Sequence, residues 1–231
     1  MNRARHIGIA AVTAEGAALC YRTICAEGEA WLGPHAHPEV SMHTPSFAAY
    51  VACLESDDLQ GVADLMLTSA RKLAAIGADF LVCPDNTIHG ALPLVAPHSP
   101  LPWLHIAEVV ADEAKSRGYT KLGITGTKWL VRSDVYPAKL RERGLDFQRP
   151  ADADREEVSR IIMEELVRGR CVPQSVARFE AVVGRLRDRG CDAVILGCTE
   201  LPLIMNEQNA PIPALDSTRL LARAALARAC P

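Results

Sequence analysis

The chain has 231 residues, 49% of them hydrophobic, and a net charge of −3 from well-mixed acids and bases. That length allows one large or two small domains with a sizeable core. No Lys/Arg run or basic face offers itself to nucleic acid or an anionic membrane, and the apolar runs are too short and too interrupted to span a bilayer.

A basic start, Met1-Asn2-Arg3-Ala4-Arg5-His6, precedes the apolar run Ile7–Val12. As an export signal the run is short, and it meets Thr13 and Glu15 without a clear cleavage site, so it reads as a buried first strand. A helix-period stretch comes next at Glu15–Glu27, then a strand at Val40–Met42, a helix at Leu59–Ile76 and a strand at Phe80–Cys83. Beyond them lie a helix at Ile106–Arg117, a strand at Leu122–Ile124, and helices at Asp134–Arg143, Arg155–Arg168 and Ser175–Arg189. A strand at Ala193–Leu196 and a helix at Ser217–Ala229 end the series. The acidic run Asp152–Glu157 reads as a helix start that favours the dipole. Alternating strands and helices predict an α/β fold with parallel sheets flanked by helices. Strands this short and uniformly apolar suit positions buried on both faces. The eight cysteines include no Cys-x-x-Cys pair. A zinc or thioredoxin-like motif is therefore not expected, and reduced thiols in a cytoplasm are.

The chain repeats itself. Lys72-Leu73-Ala74-Ala75-Ile76-Gly77-Ala78-Asp79-Phe80-Leu81-Val82 matches Arg185-Leu186-Arg187-Asp188-Arg189-Gly190-Cys191-Asp192-Ala193-Val194-Ile195. Both read as a helix end, a glycine cap, an Asp and a buried strand. Ile7-Gly8-Ile9 matches Leu122-Gly123-Ile124, and Pro102-x-Leu104 matches Pro213-x-Leu215, all at offsets of roughly 111 to 115 residues. Such a period is too long for a solenoid. It predicts two pseudo-symmetric lobes: residues 1–105, with a C-terminal helix at 217–231 packing on them, and residues 106–216. Extended past the strand ends, the repeat sets Asp85 opposite Cys198. Ligands of open α/β sheets bind beyond the carboxyl ends of the strands. The expected active site is thus a cleft between the lobes. Two proton-handling groups on opposite faces of one carbon can invert a stereocentre.

Two motifs carry this chemistry, Cys83-Pro84-Asp85-Asn86-Thr87-Ile88-His89 and Gly197-Cys198-Thr199-Glu200. Each leaves a buried strand for a loop or helix start, where free backbone N–H groups favour a substrate carboxylate. Asn86, Thr87 and Thr199 add donors. A helix N-terminus would also favour the Cys198 thiolate and suit it as a base.

These residues resemble the aspartate/glutamate racemase superfamily. Gly197-Cys198-Thr199-Glu200 is similar to its Gly-Cys-Thr-Glu signature, and Pro84-Asp85-Asn86-Thr87-Ile88-His89 resembles its Pro-Cys-Asn-Thr-x-His signature. Ile7-Gly8, His37-Pro38, Gly77-Ala78-Asp79, Leu104-His105-Ile106 and Gly123-Ile124-Thr125-Gly126-Thr127 fall in the order the resemblance expects. It implies two lobes, no pyridoxal phosphate, no metal, a homodimer, and an amino acid or related carboxylate as substrate. It also implies a pair of cysteines acting as acid and base at the substrate α-carbon. Here Cys198 keeps its place and Asp85 stands where the first cysteine belongs; Cys83 reads as a core residue.

With reference values of about 3.9 for Asp and about 8.5 for Cys, the resting pair is an Asp85 carboxylate and a Cys198 thiol. The reverse state lies about 4.6 pK units, or roughly 6 kcal/mol, uphill before the site adjusts either group. Three readings stay open: a racemase or epimerase with an Asp/Cys pair, a single-Cys decarboxylase or isomerase of a related acid, and a degenerate ligand-binding homologue. No Arg or Lys occurs from Glu39 through Ala52, where a clamp for a distal carboxylate would be expected, so a less polar substrate is anticipated. Arg168 and Arg170 lie near the other such stretch, Val172-Pro173.

Some residues carry two readings. His35-Ala36-His37 lacks the carboxylates or thiols of a metal site. His89 either supports Asp85 or the substrate, or caps a helix. Thr13 and Thr127, at matching strand ends, either touch substrate or make turns. Gly126 would let a carboxylate approach the backbone beside Thr127. Glu200 is read as holding a substrate ammonium or capping a helix, because adjacent side chains on a helix start diverge.

Overall fold

The structure, a computed structural model, describes residues 3–230. Met1 and Asn2 of the basic start, and Pro231 at the end of the expected first lobe, lie outside the described residues. The chain forms two compact units, Met1–Ile106 with Thr218–Pro231, and Ala107–Ser217.

The first unit runs β1 (Ile7–Ala10), α1 (Ala14–Leu32), β2 (Val40–His43), α2 (Phe47–Glu55), α3 (Leu59–Ala75), β3 (Phe80–Val82), α4 (Leu92–Val95) and β4 (Trp103–Leu104). The second holds α5 (Ile106–Ser116), which begins on the last residue of the first unit, then β5 (Lys121–Thr125), α6 (Lys128–Arg132), α7 (Val135–Glu142) and β6 (Asp146–Gln148). It continues with α8 (Asp152–Arg160), α9 (Pro173–Asp188), β7 (Ala193–Leu196) and β8 (Ala214–Asp216), and α10 (Ser217–Ala229) comes last. All strand pairs are parallel, in two four-stranded sheets ordered β2-β1-β3-β4 and β6-β5-β7-β8. The α/β class and the paired sheets agree with the expectation.

The central strands β1, β3 and β7 are buried at every residue. That is why they read as continuous apolar runs rather than as an alternation. Edge strands escape that criterion. β6 has no fully buried residue, and β4 and β8 are two and three residues long. The sequence repeat nonetheless marks two of them. The Pro102 carbonyl accepts the Leu81 N–H at 2.9 Å, and the Pro213 carbonyl accepts the Val194 N–H at 2.9 Å. Each matched proline thus opens the strand that pairs with the third of its sheet.

The Gly-x-Asp part of the repeat has an equally physical cause. Gly77 and Gly190 end their helices at φ +90° and +87°, a region open to glycine at little cost. Two residues on, the carboxylate ties down the start of a neighbouring strand. Asp79 Oδ2 accepts the His6 N–H at 2.7 Å, and the Asp79 N–H returns to the His6 carbonyl at 2.8 Å. Asp192 accepts the Thr120 N–H and hydroxyl, both at 2.7 Å, and the Lys121 N–H at 3.1 Å, and donates its own N–H to the Lys121 carbonyl at 2.9 Å.

The C-terminal helix belongs to the first unit. The Ala229 carbonyl accepts the Arg5 N–H at 2.9 Å, Arg223 pairs with Glu27 of α1 at 2.8 Å, and the Arg228 guanidinium lies 5.1 Å from the centre of the Phe80 ring. The stretch expected as one helix over Arg155–Arg168 changes pitch instead. It starts on the acidic run at Asp152, passes through a π-helical segment at Ile161–Glu165 and closes with a 3-10 turn at Leu166–Arg168.

Asp79→Ala and Asp192→Ala should each lower the free energy of unfolding by about 1–3 kcal/mol, since each leaves backbone donors without their acceptor. Urea melts of the two variants check this.

Candidate active site

Both signature motifs sit beyond the carboxyl end of the third strand of their sheet: Asp85 after β3 and Cys198 after β7. In the first unit the chain turns at Asp85. Its Oδ1 accepts the Ile88 N–H at 3.2 Å and so starts a 3-10 helix at Thr87–Ala91. The His89 N–H goes to the Asn86 carbonyl at 3.3 Å. Asn86 is buried, whereas Asp85 and Thr87 are partly open.

His89 braces this loop. Its Nε2 is 3.0 Å from the Cys83 carbonyl, and its Nδ1 is 3.4 Å from the Ile106 N–H. A carbonyl only accepts and an amide only donates, so the ring is neutral with its proton on Nε2. His89 thereby joins the end of β3 to the start of α5, with its ring 4.8 Å from that of His105. Cys83 is fully buried, and its thiol is pushed well up, first by burial and then by the Asp85 charge. It belongs to the core. Tyr50 of α2, which no sequence motif marks, is also buried here. Its ionisation is opposed by burial first and then by Cys83 and Asp85, which places the phenol in the neighbourhood of the candidate carboxylate. The Glu39–Ala52 segment around it supplies no cation of its own. A cation does reach that segment, but from α3: Lys72 Nζ lies 2.9 Å from His43 Nε2 at the end of β2.

In the second unit Cys198, Thr199 and Glu200 are buried. The structure corrects two expectations here. Glu200 does not diverge from Cys198: its Oε2 accepts both the Cys198 thiol at 3.0 Å and the Thr199 hydroxyl at 2.8 Å. The segment is a turn closed by the Leu201 N–H on the Cys198 carbonyl at 3.1 Å, so side chains two apart converge. The helix beyond the turn is a three-residue 3-10 element, Leu201–Leu203, too short for the dipole expected to favour a thiolate. Several N–H groups expected to await an anion are already engaged, Ile88 by Asp85 and Leu203 by the Glu200 carbonyl among them.

Thr13 and Thr127 are matched caps. Thr13 Oγ1 accepts the Gly16 N–H at 3.3 Å at the start of α1, and Thr127 Oγ1 accepts the Leu130 N–H at 3.4 Å at the start of α6. Gly126, at φ +151°, is fixed by packing: a Cβ there would stand 3.0 Å from the Gly197 carbonyl oxygen and 2.8 Å from Leu130. Gly197 is tighter still, with an added Cβ 2.4 Å from the Thr125 carbonyl oxygen. The loops after β5 and β7 therefore touch backbone to backbone beside Cys198. Among the described residues, no group of three or more His, Cys, Asp and Glu side chains is arranged to hold a metal ion. His37 of the His-Ala-His segment instead places Nδ1 2.8 Å from the Pro38 carbonyl.

Gly197→Ala should cost about 1–3 kcal/mol of stability through overpacking against backbone that cannot yield cheaply, as thermal melts would show. Native alkylation with iodoacetamide should modify exposed Cys171 quickly. It should leave Cys83 untouched, and likewise Cys20, whose thiol burial pushes up to about 12.

Comparison with known proteins adds to this geometry. The family model for Asp/Glu/hydantoin racemases matches residues 9–225. A candidate Asp/Glu racemase from Yersinia pestis superposes with a TM-score of 0.89 at 31% identity, over 97% of this chain and 99% of that one. An aspartate racemase homologue from Pyrococcus horikoshii OT3 gives 0.82 at 27% identity, over 97% and 98%. A broad-specificity amino-acid racemase of Bacillus subtilis strain 168 is 25% identical over 161 residues, 68% of this chain and 68% of its own.

Proposed function

Given that this chain belongs to the Asp/Glu/hydantoin racemase family, we propose that it is an amino-acid racemase or epimerase that works without pyridoxal phosphate or metal. In this reading Asp85 and Cys198 are the acid–base pair at the substrate α-carbon. The observation that carries it is topological equivalence. The two groups come after the third strand of matching sheets, ordered β2-β1-β3-β4 and β6-β5-β7-β8. Repeated units that present a proton-handling group at the same place suit a substrate whose two faces need the same service.

The Asp85 carboxylate takes the α-proton from one face, and the Cys198 thiol delivers its own proton to the other. The carbon inverts with no net gain or loss of protons. Asn86 and Thr87 orient the substrate carboxylate, Thr199 gives its hydroxyl proton to Glu200, and Thr13 and Thr127 hold the helix starts after β1 and β5. The working protein is a cytoplasmic homodimer in this proposal, acting on a free amino acid. Its substrate carries an uncharged side chain, because Glu39–Ala52 supplies no cation of its own and Lys72 is already engaged with His43. The broad specificity of the Bacillus subtilis relative is in keeping with that choice.

Single enantiomers of a panel of amino acids, incubated with reduced protein in deuterium oxide, test the reading. Exchange of the α-proton with inversion is expected. Asp85→Asn keeps the acceptor for Ile88, and Cys198→Ser keeps the turn. Each should lower turnover by about 100- to 10,000-fold, the usual worth of a general acid or base. Full activity in Asp85→Asn would overturn the pair. Racemisation of aspartate well above every other amino acid would overturn the uncharged substrate.

A further inference from the structure

We propose that Glu200 is a positioning residue that holds Cys198 in its thiol form, making this cysteine the proton donor and Asp85 the base in the resting site. The role in turnover rests on the racemase reading; the protonation state of the sulfur does not.

Glu200 Oε2 accepts from the Cys198 thiol at 3.0 Å and from the Thr199 hydroxyl at 2.8 Å. As a carboxylate, Glu200 can take both donors on this one oxygen. It is also buried, with 1% of its surface exposed. A thiolate at Cys198 would set a second negative charge against the first where water screens little, and would break a charge-assisted hydrogen bond.

The surroundings favour the same form. Cys198 packs in a cluster with Val158, Ile162, Leu166, Leu201 and Ile204, and an apolar wall disfavours the charged sulfur. Cations of α8 and α9 are held by acids of their own, while Lys128 of α6 lies over the Trp129 ring and Arg168 ends the 3-10 turn that begins at Leu166. Arg160 pairs with Glu157 and Glu165, Arg178 with Glu157, and Arg185 with Asp154. On α7, Tyr136 has its ionisation opposed by burial, and Asp216 at the end of β8 adds another acid.

One proton therefore sits on sulfur at rest. After it passes to the substrate carbon, the thiolate faces the Glu200 carboxylate, and uptake of a proton from solvent restores the thiol while Asp85 releases the one it took.

Cys198 alkylation by iodoacetamide, followed across pH by peptide mass spectrometry with exposed Cys171 as internal reference, tests the proposal. In Glu200→Gln the negative charge is gone and an amide N–H faces the sulfur. Alkylation at pH 7 should rise about tenfold or more, with the midpoint of its pH profile moved down by about one unit. Thr199→Val leaves the carboxylate to the thiol alone and should slow alkylation. Unchanged or slower reaction in Glu200→Gln, at an unchanged Cys171 rate, would overturn the proposal. Should circular dichroism show Glu200→Gln unfolded, Thr199→Val decides: equal or faster alkylation there is the overturning result. Absence of α-proton exchange in the unsubstituted protein would count against the racemase reading alone.

Discussion

A carboxylate at the foot of each sheet governs where the chemistry can stand. Asp79 and Asp192 each close a two-way hydrogen-bonded clamp on the residue that leads into the neighbouring strand. The clamp sets the register between first and third strand at their amino ends. A parallel strand of three or four residues has no freedom to slip once one end is fixed, because a one-residue shift would exchange the side chains packed on its two buried faces. The carboxyl ends are therefore fixed as well, and Asp85 and Cys198 lie within three residues of them. Glycines at φ +90° and +87° let helix and clamp lie so close in sequence.

Above these matching feet the two ends diverge. In the first unit the loop is braced by a neutral histidine and opened by Asp85 itself, which uses one carboxylate oxygen to start the 3-10 helix. A carboxylate that also caps its own loop cannot swing far, and that restraint favours orientation over reach. In the second unit the loop is pinned by backbone packing at Gly126 and Gly197, and the Cys198 sulfur has the Glu200 carboxyl group for a neighbour. Both ends carry an acid, Asp85 in the loop after β3 and Glu200 beside the Cys198 sulfur.

Much of this is legible from the chain because the physics is local and repeated. Continuous apolar runs betray the buried central strands, and the Gly-x-Asp and Pro-x-Leu matches betray the clamp and the strand paired to it. The edge strand β6 escapes because a strand with no fully buried residue needs no apolar run. Helix α2 escapes because its nine residues are apolar nearly all round, which leaves no polar face to set a period, and Tyr50 escapes with it. The π-helical step at Ile161–Glu165 has no signal in periodicity, since a single wide turn shifts the pattern by less than a residue type can register.

Glu200 shows where sequence reasoning fails for a definable reason. On a regular helix, neighbouring side chains fan out by about a quarter turn or more and residues two apart face away from each other. That rule argues against any contact with Cys198. The rule presupposes the helix, and Gly197 removes it. With no Cβ tolerated against the Thr125 carbonyl, the chain crosses at close range and enters a turn before helical pitch begins. In a turn, the cysteine and the glutamate two residues on fall on the same side. A close crossing at the glycine, a turn after it and a carboxyl group at the sulfur occur together, so the four letters Gly-Cys-Thr-Glu describe a geometry as much as a set of functional groups.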